Sequence, residues 1–452
     1  MMEYDLIVIG GGPAGYHAAE LAGKSGLKTL LFEKKHIGGV CLNEGCIPTK
    51  TLLYGAKVYD MACQSAKYGV LVTSPTVDFE KMMSRKNRIV RRLTAGIESS
   101  LKQHQVQIVI GAATIKEKTE KGLVVVCNEQ AYLGRKLLIC TGSETVIPNI
   151  PGMDMTSDVI ITHREALELK EIPQSLVVIG GGVIGMEFAS LYQSLGCKVT
   201  VIEMLPTILN GIDTELSAQL KDMYAKKGIS FYLNARVTRM DQQKVSFEQN
   251  EEMQEIFAEK ILLSVGRKPV IQGLGLENIG VQTERGRIVV NDFLETNVEG
   301  VYAAGDVNGF SLLAHTASRE GAVVVNNLTR ENEAMNYEAI PSVVYTNPEI
   351  AGVGLTETEA IQKNIPHRVI KLPMAFSGRF VAENEGVNGV CKVLVDEQNH
   401  ILGVHLLGNP ASELIFGAGM AIQYKFTLEQ LQKVVFPHPT VSEIMHVAFS
   451  AE

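Results

Sequence analysis

Residues 4 to 9, YDLIVI, form a short apolar run rich in β-branched side chains, and the pattern switches after GGGPAG to the helical spacing of YHAAELAGKSG. A second apolar run, KTLLFE, ends at Glu33. The same order of strand, glycine turn, helix and strand returns in SLVVIGGGVIGMEFASLYQSLGCKVTVIE, which ends at Glu203. Gly10, Gly12 and Gly15 in the first copy, and Gly180, Gly182 and Gly185 in the second, occupy G-x-G-x-x-G positions. The acid lies 18 residues past the third glycine both times, and the copies are offset by 170. Such glycines let the backbone turn tightly and approach a pyrophosphate, whose charge sits against the free N–H groups of the helix N-terminus. The acid then accepts hydrogen bonds from ribose hydroxyls. One such turn arises readily by chance among 42 glycines; two in the same context predict two dinucleotide sites.

Later boundaries follow from the same alternation. LLICTGSETVIPNIPG, residues 137 to 152, reads as a buried strand running into a Pro/Gly-rich linker, and ILLSVGRKPV, 261 to 270, has the same strand-then-glycine form. GVYAAGDVNG precedes a helical stretch, LLAHTASREGAVVVNNL. From about residue 338, SVVYTNPEIAGVGLTETEA and GVCKVLVDEQNHILGVHLLG predict an antiparallel sheet with a turn at DEQNH, hence a separate C-terminal domain.

Composition narrows the function classes. With 452 residues, 46% hydrophobic and 20% charged, the chain has material for about three domains. Its formal charge of −8, spread without long runs of one sign, argues against nucleic acid or an anionic membrane as partner. The N-terminus enters YDLIVIG without a basic lead or cleavage site, and no apolar stretch approaches the roughly 18 residues of a membrane span. A cytoplasmic, reducing location is expected, where a disulfide is a working one.

Seven cysteines are few and odd in number, and two of them, Cys41 and Cys46, fall in GGVCLNEGCIPTK. A metal clip, a structural disulfide, a redox pair and a coincidence of spacing are all open on the spacing alone. A zinc site needs about four ligands, and no second close Cys or His pair supplies them, so no metal is expected. In a continuous helix residues five apart point in different directions; Gly45 and Pro48 offer the distortion a bridge requires, with Pro48 suited to the first turn of a following helix. A thiol near that N-terminus would have its thiolate stabilised. Two dinucleotide sites also suggest two cofactors passing electrons, which favours the redox reading. Near the other end, PHPTVSE sets His438 between prolines with Glu443 five residues on, a pairing suited to general-base work on a thiol.

These motifs, with TNPEIAGVGLTE, HPTVSE and the two glycine turns, resemble the pyridine nucleotide-disulfide oxidoreductases over essentially the whole chain, and most closely their dihydrolipoamide-oxidising branch. The resemblance implies an α/β fold of two Rossmann-like dinucleotide-binding domains plus a C-terminal α+β dimerisation domain. It places an FAD-binding domain at 1–145 with a second part at 270–337, an NAD-binding domain at 146–269 and the interface domain at 338–452. FAD then occupies the first glycine turn and NAD the second. Cys41 becomes the thiol that meets substrate and Cys46 the thiolate against the flavin, with Lys50 near the ring and paired with Glu187. The implied flavin contacts are Glu33, Ala113, Thr141, Gly142, Ser143, Asp306 and the backbone of Leu312, Leu313, Ala314 and His315; those for NAD include Glu203, Val237 and Gly266. His438, oriented by Glu443, serves the partner subunit of a homodimer. Lipoyl-bearing and E2-type subunits of 2-oxo-acid dehydrogenase or glycine cleavage complexes are the implied partners. One departure stands out: the family often has a second histidine where this chain has Phe436, which bears on the lining of the substrate channel.

Glu203 would face a 2′-phosphate, and no arginine lies between 203 and 235, so NAD is expected over NADP. Two other readings remain beside the dihydrolipoamide one: an NAD-dependent reductase of another small disulfide, and a docking or structural subunit with a vestigial redox site.

Overall fold

The computed structural model describes residues 2–330 and 332–451. β1 (Met2–Ile9), α1 (Pro13–Lys24) and β2 (Thr29–Glu33) form the first strand, turn and helix unit, with β1 and β2 parallel. β2 is buried along its whole length, which is why it reads as an unbroken apolar run rather than an alternating one. Three helices follow, α2 (Gly39–Glu44), α3 (Cys46–Cys63) and α4 (Phe79–Gln103). β3 (Gln107–Ile110), β4 (Thr114–Thr119), β5 (Gly122–Cys127) and β6 (Gln130–Ile139) then complete a sheet of order β3-β2-β1-β6-β5-β4. β3, β2, β1 and β6 run parallel, and β6, β5 and β4 form an antiparallel meander.

Past a short strand β7 (Ser143–Thr145) comes the second copy: β8 (Ile160–Ile161), β9 (Ser175–Ile179), α5 (Val183–Ser194), β10 (Lys198–Ile202), α6 (Thr214–Lys226) and β11 (Ser230–Tyr232). A three-stranded antiparallel sheet, β12 (Ala235–Asp241), β13 (Lys244–Gln249) and β14 (Glu252–Phe257), leads to β15 (Lys260–Leu263). β15 closes a parallel sheet of order β11-β10-β9-β15-β8. The chain returns through β16 (Arg267–Pro269), which pairs antiparallel with β7, and β17 (Val301–Ala303) joins β6 in parallel. α7 (Ala314–Thr329) then lies along α1 so closely that a Cβ on Gly321 would meet the Ala14 carbonyl oxygen at 2.6 Å.

The C-terminal sheet is antiparallel throughout, as the strand-like runs on either side of DEQNH predict. β18 (Ser342–Val344), β19 (Ile350–Gly354), β20 (Arg368–Pro373), β21 (Val390–Val395) and β22 (Ile401–Leu407) take the order β18-β19-β22-β21-β20. The turn at DEQNH is fixed by Asp396, whose Oδ1 accepts the N–H groups of Gln398 and His400. α8 (Ala411–Gln423) and α9 (Glu443–Ser450) bury Leu414, Ile415, Ile444 and Phe449 against this sheet.

By packing, the chain falls into two compact units. One comprises Met1–Thr51, Met83–Val146 and Gly266–Asn336, the other Leu52–Met82, Ile147–Val265 and Tyr337–Glu452. The core of the first is built on Ile7, Ile9, Leu30, Phe32, Leu137 and Val301. The second has one core under its parallel sheet, around Val177, Ile179, Phe247 and Ile261, and another in the C-terminal sheet.

Candidate functional site

The two glycine turns share their local geometry. Gly10 takes φ +108° and a Cβ there would lie 2.2 Å from the Cys140 carbonyl oxygen; Gly180 takes +101° with Ser264 O at 2.5 Å. A Cβ on Gly15 would fall 1.8 Å from Gly10 O, and one on Gly185 2.1 Å from Gly180 O, so neither position admits a side chain. Gly12 and Gly182 are the N-caps of α1 and α5 with no side-chain cap, which leaves the first N–H groups of each helix open to an anion. Glu33 accepts the N–H groups of Gly11 and Lys35, both at 2.7 Å, and Glu203 repeats the pattern with Gly181 at 2.6 Å and Leu205 at 2.8 Å. Each acid therefore braces its glycine turn and keeps lone pairs for a ribose hydroxyl. An uncapped helix N-terminus, a backbone cradle that side chains would fill and a fixed carboxylate fit a dinucleotide in both units.

Between the cysteines the helix breaks. Gly45, at φ −146° and ψ −108°, ends α2, and its carbonyl accepts the Thr49 N–H at 3.0 Å to begin α3. Cys41 lies in α2, Cys46 is the first residue of α3, and Pro48 sits in the first turn, where no intrahelical N–H is needed. The two are unbridged here, with their side chains hydrogen-bonded to one another. That bond, then burial, pushes the Cys41 thiol far above its ordinary value, while the half-buried Lys50 ammonium opposes the shift. Cys46, the first residue of α3, sits where a helix N-terminus stabilises a thiolate. Burial first, and electrostatic interaction with Cys41 next, also raise the phenol of Tyr16 on α1, which places that ring beside the pair.

The β7/β16 ribbon gathers several expected flavin residues. Ser143 Oγ donates to Asp306 Oδ2 at 2.5 Å, and Arg267 grips Ser143 by two bonds, Nε to Oγ at 2.8 Å and a guanidinium NH2 to the carbonyl at 2.7 Å. Thr141 Oγ1 donates to Val270 O at 2.7 Å, Val270 N–H returns to Gly142 O at 2.9 Å, and Gly266 O accepts the Val146 N–H at 3.0 Å. Leu313 is the extended N-cap of α7 with no side-chain cap, so the backbone from Leu312 to His315 presents another open helix start. Ala113 is buried in the core of this unit.

Glu320 was not singled out by the sequence. It is fully buried, and its Oε2 accepts the Gly305 N–H at 2.5 Å and Asn308 Nδ2 at 2.9 Å, so it sets the turn that carries Asp306. A buried carboxylate persists only where such donors are present. The signal was available in LLAHTASREG: an acid on a stripe with Ala317, Gly321 and Val324 that otherwise buries small and apolar residues. Arg267 carried no comparable mark.

In the second unit Glu187, 3% exposed on α5, accepts the Tyr345 N–H at 3.1 Å. Val237 lies on β12 beside a register shift between Val237 and Arg239. His438 Nδ1 contacts Glu443 Oε1 at 2.9 Å, and Glu443 Oε2 accepts the Thr440 N–H at 2.8 Å. The Thr440 N–H, then His438, hold the Glu443 carboxyl below the usual carboxylate range. The His438 side chain is 82% exposed. Phe436 packs on the C-terminal core with its ring 5.1 Å from that of His446. Among the described residues no group of three His, Cys, Asp or Glu could hold a metal ion, and no helix is long and apolar enough to cross a membrane.

Residues 4–321 match the pyridine nucleotide-disulphide oxidoreductase family, and residues 340–449 match the dimerisation domain of that family. The dihydrolipoyl dehydrogenase of Mycoplasma pneumoniae is 36% identical over 453 residues, covering 98% of this chain and 97% of that protein. The mitochondrial dihydrolipoyl dehydrogenase of Pisum sativum is 38% identical over 460 residues, covering 99% and 91%. Among solved structures, LpdA from Mycobacterium tuberculosis superposes with a TM-score of 0.90 at 25% identity, covering 100% of this chain and 99% of that one. The HOCl-induced flavoprotein disulfide reductase RclA from Escherichia coli gives 0.87 at 28% identity, covering 99% of each chain. Two dinucleotide cradles, a cysteine pair across a helix break and these matches together make the chain an oxidoreductase of the pyridine nucleotide-disulphide oxidoreductase family, whose cofactors are FAD and NAD(H).

Proposed function

We propose that the protein oxidises dihydrolipoyl groups, with the Cys41–Cys46 pair as the first electron acceptor and NAD+ as the last. The observation that carries this reading is the contact between the two sulfurs across the Gly45 break, with a helix N-terminus behind Cys46 and Lys50 alongside. Relatives named dihydrolipoyl dehydrogenase over nearly the whole chain support the substrate class.

In the bridged form of the pair, a substrate thiol gives its proton to His438 Nε2, since Nδ1 is engaged by Glu443. The thiolate attacks Cys41 Sγ, the Cys41–Cys46 bond breaks, and Cys46 leaves as a thiolate favoured by the start of α3. The second substrate thiol then attacks the substrate sulfur bound to Cys41, releasing a cyclic disulfide and the Cys41 thiol. A bound FAD would supply the acceptor for this electron pair and a bound NAD+ the final hydride acceptor. Glu443, held below the usual carboxylate range, stays ionised through neutral pH and keeps orienting His438.

The dimerisation domain and the exposure of His438 support a homodimer in which His438 serves the cysteines of the other subunit. The dihydrolipoyl group then arrives on a separate subunit of a 2-oxo-acid dehydrogenase or glycine cleavage complex in the cytoplasm. The test is NAD+ reduction by dihydrolipoamide with the purified yellow protein, run beside oxidised glutathione with NADH and NADPH. Turnover with dihydrolipoamide, lost by about 10³-fold or more in Cys41→Ser, is expected. Silence there with turnover of glutathione moves the substrate to another disulfide.

A further inference from the structure

α4 carries seven lysines and arginines against two glutamates, in a chain whose formal charge is −8. Arg85, Arg88 and Arg92 recur at helical spacing along one exposed face, with exposed Arg91 beside them. Like charges three and four apart on a helix repel one another. Lys81, at the start of the helix, is matched by Asp78 at 3.0 Å, whereas Arg88, Arg91 and Arg92 meet no carboxylate among the described residues. Arg88, Arg91 and Arg92 therefore gain no ion pair from the fold of the helix they sit on.

Its position gives it another use. Thr94 Oγ1 on α4 donates to Asn43 Oδ1 at 3.4 Å, two residues past Cys41, and a guanidinium nitrogen of Arg85 donates to Thr51 O at 3.3 Å, five residues past Cys46. The basic helix is thus tied to both cysteine-bearing helices. Resting on the function proposed above, we propose that Arg88, Arg91 and Arg92 form a docking surface for an acidic protein domain that carries the dihydrolipoyl group to Cys41. The net negative charge of the chain repels such a domain at long range. A local basic face reverses the sign within about one Debye length, ~8 Å at physiological salt, and guanidinium forks pair with carboxylates in fixed orientation. Complementary patches of this kind raise association rates by roughly 10–10³-fold and lose that gain as salt is added. Free dihydrolipoamide is neutral and gains nothing from it.

The experiment compares two reduced substrates, free dihydrolipoamide and an acidic lipoyl domain, with the holoenzyme and its R88E/R91E/R92E variant. The variant should lose at least tenfold in kcat/KM for the domain at low salt and stay within twofold for dihydrolipoamide. Added salt should slow the domain with the natural enzyme and not with the variant. A domain whose surface carboxylates are replaced by amides should react equally with both enzymes. Unchanged domain kinetics in the variant, or an equal loss with both substrates, overturns the docking surface while leaving the dithiol chemistry in place. Failure of the natural enzyme to oxidise dihydrolipoamide overturns the functional reading, and the docking surface with it. Should charge reversal prevent folding, R88Q/R91Q/R92Q gives the same comparison with a smaller expected loss.

Discussion

The two glycine turns exclude side chains at nearly the same distances and differ in what lies over them. At the first, a Cβ on Gly39 would come within 2.7 Å of Gly12 Cα, and the Gly38 N–H donates to Gly11 O at 2.8 Å, so the start of α2 closes down on the turn. At the second, the Leu209 N–H makes the equivalent bond to Gly181 O at 2.8 Å, yet nothing lies within 4 Å of a Cβ on Gly182. The same anion-binding physics thus serves a covered site and an open one. A covered site suits a group that stays bound through turnover, as FAD does, and an open one suits a cosubstrate that must leave each cycle, as NADH does. The motif alone distinguishes neither; the segment after the acid does.

The largest expected effect separates the sites outright. Gly10→Ala should purify without flavin, because its Cβ has nowhere to go but the Cys140 carbonyl. Gly180→Ala should stay yellow and still be bleached by dihydrolipoamide, while NAD+ reduction falls by about 10²-fold or more. A colourless Gly180→Ala protein would break the comparison. Next come the braces: Glu203→Ala leaves the Gly181 N–H without its acceptor and should raise the KM for NAD+ roughly 10-fold to 100-fold at constant flavin content. Glu33→Ala should instead weaken FAD retention, read by flavin fluorescence on dilution. A smaller effect tests the cover itself. Gly39→Ala, at φ +59° and against Gly12, should cost about 1–3 kcal/mol in urea unfolding, whereas Gly182→Ala should lie within about 0.5 kcal/mol of the natural protein. Smallest is an exchange of floor residues. Ser264 Oγ donates to Gly180 O at 2.8 Å and Ile179 O at 3.0 Å, so Ser264→Cys should lose about 1 kcal/mol, and Cys140→Ser, able to make the equivalent bonds, should lose less.

Much of this arrangement was legible because each part needs particular residues in a fixed order. A parallel strand buried on both faces must be apolar throughout, and a turn that meets a carbonyl at 2.2 Å must be glycine, so GGGPAG and GGGVIG announce themselves. The Gly45 and Pro48 pair likewise foretold the break that brings Cys41 to Cys46. Parts that act through tertiary contact were not legible. Glu320 reaches back across 15 residues to Gly305, and Arg267 reaches Ser143 across 124, distances over which sequence spacing says nothing. The acids were read as ribose ligands only; their second task, bracing Gly11 and Gly181, depends on where the strand ends place them.

The burial of the cysteines has a practical consequence. Cys127, Cys140, Cys197 and Cys391 are buried, and burial raises all four thiols, Cys197 and Cys391 to about 12. Thiolate, not thiol, reacts with alkylating agents, so these four stay silent in the native protein. Cys63 alone is fully at the surface, and Cys41 and Cys46 are half-buried and unbridged. With the bridge proposed above closed, mass spectrometry should count one fast adduct, at Cys63; with it open, Cys46 should add a second, while the raised thiol of Cys41 keeps it slow.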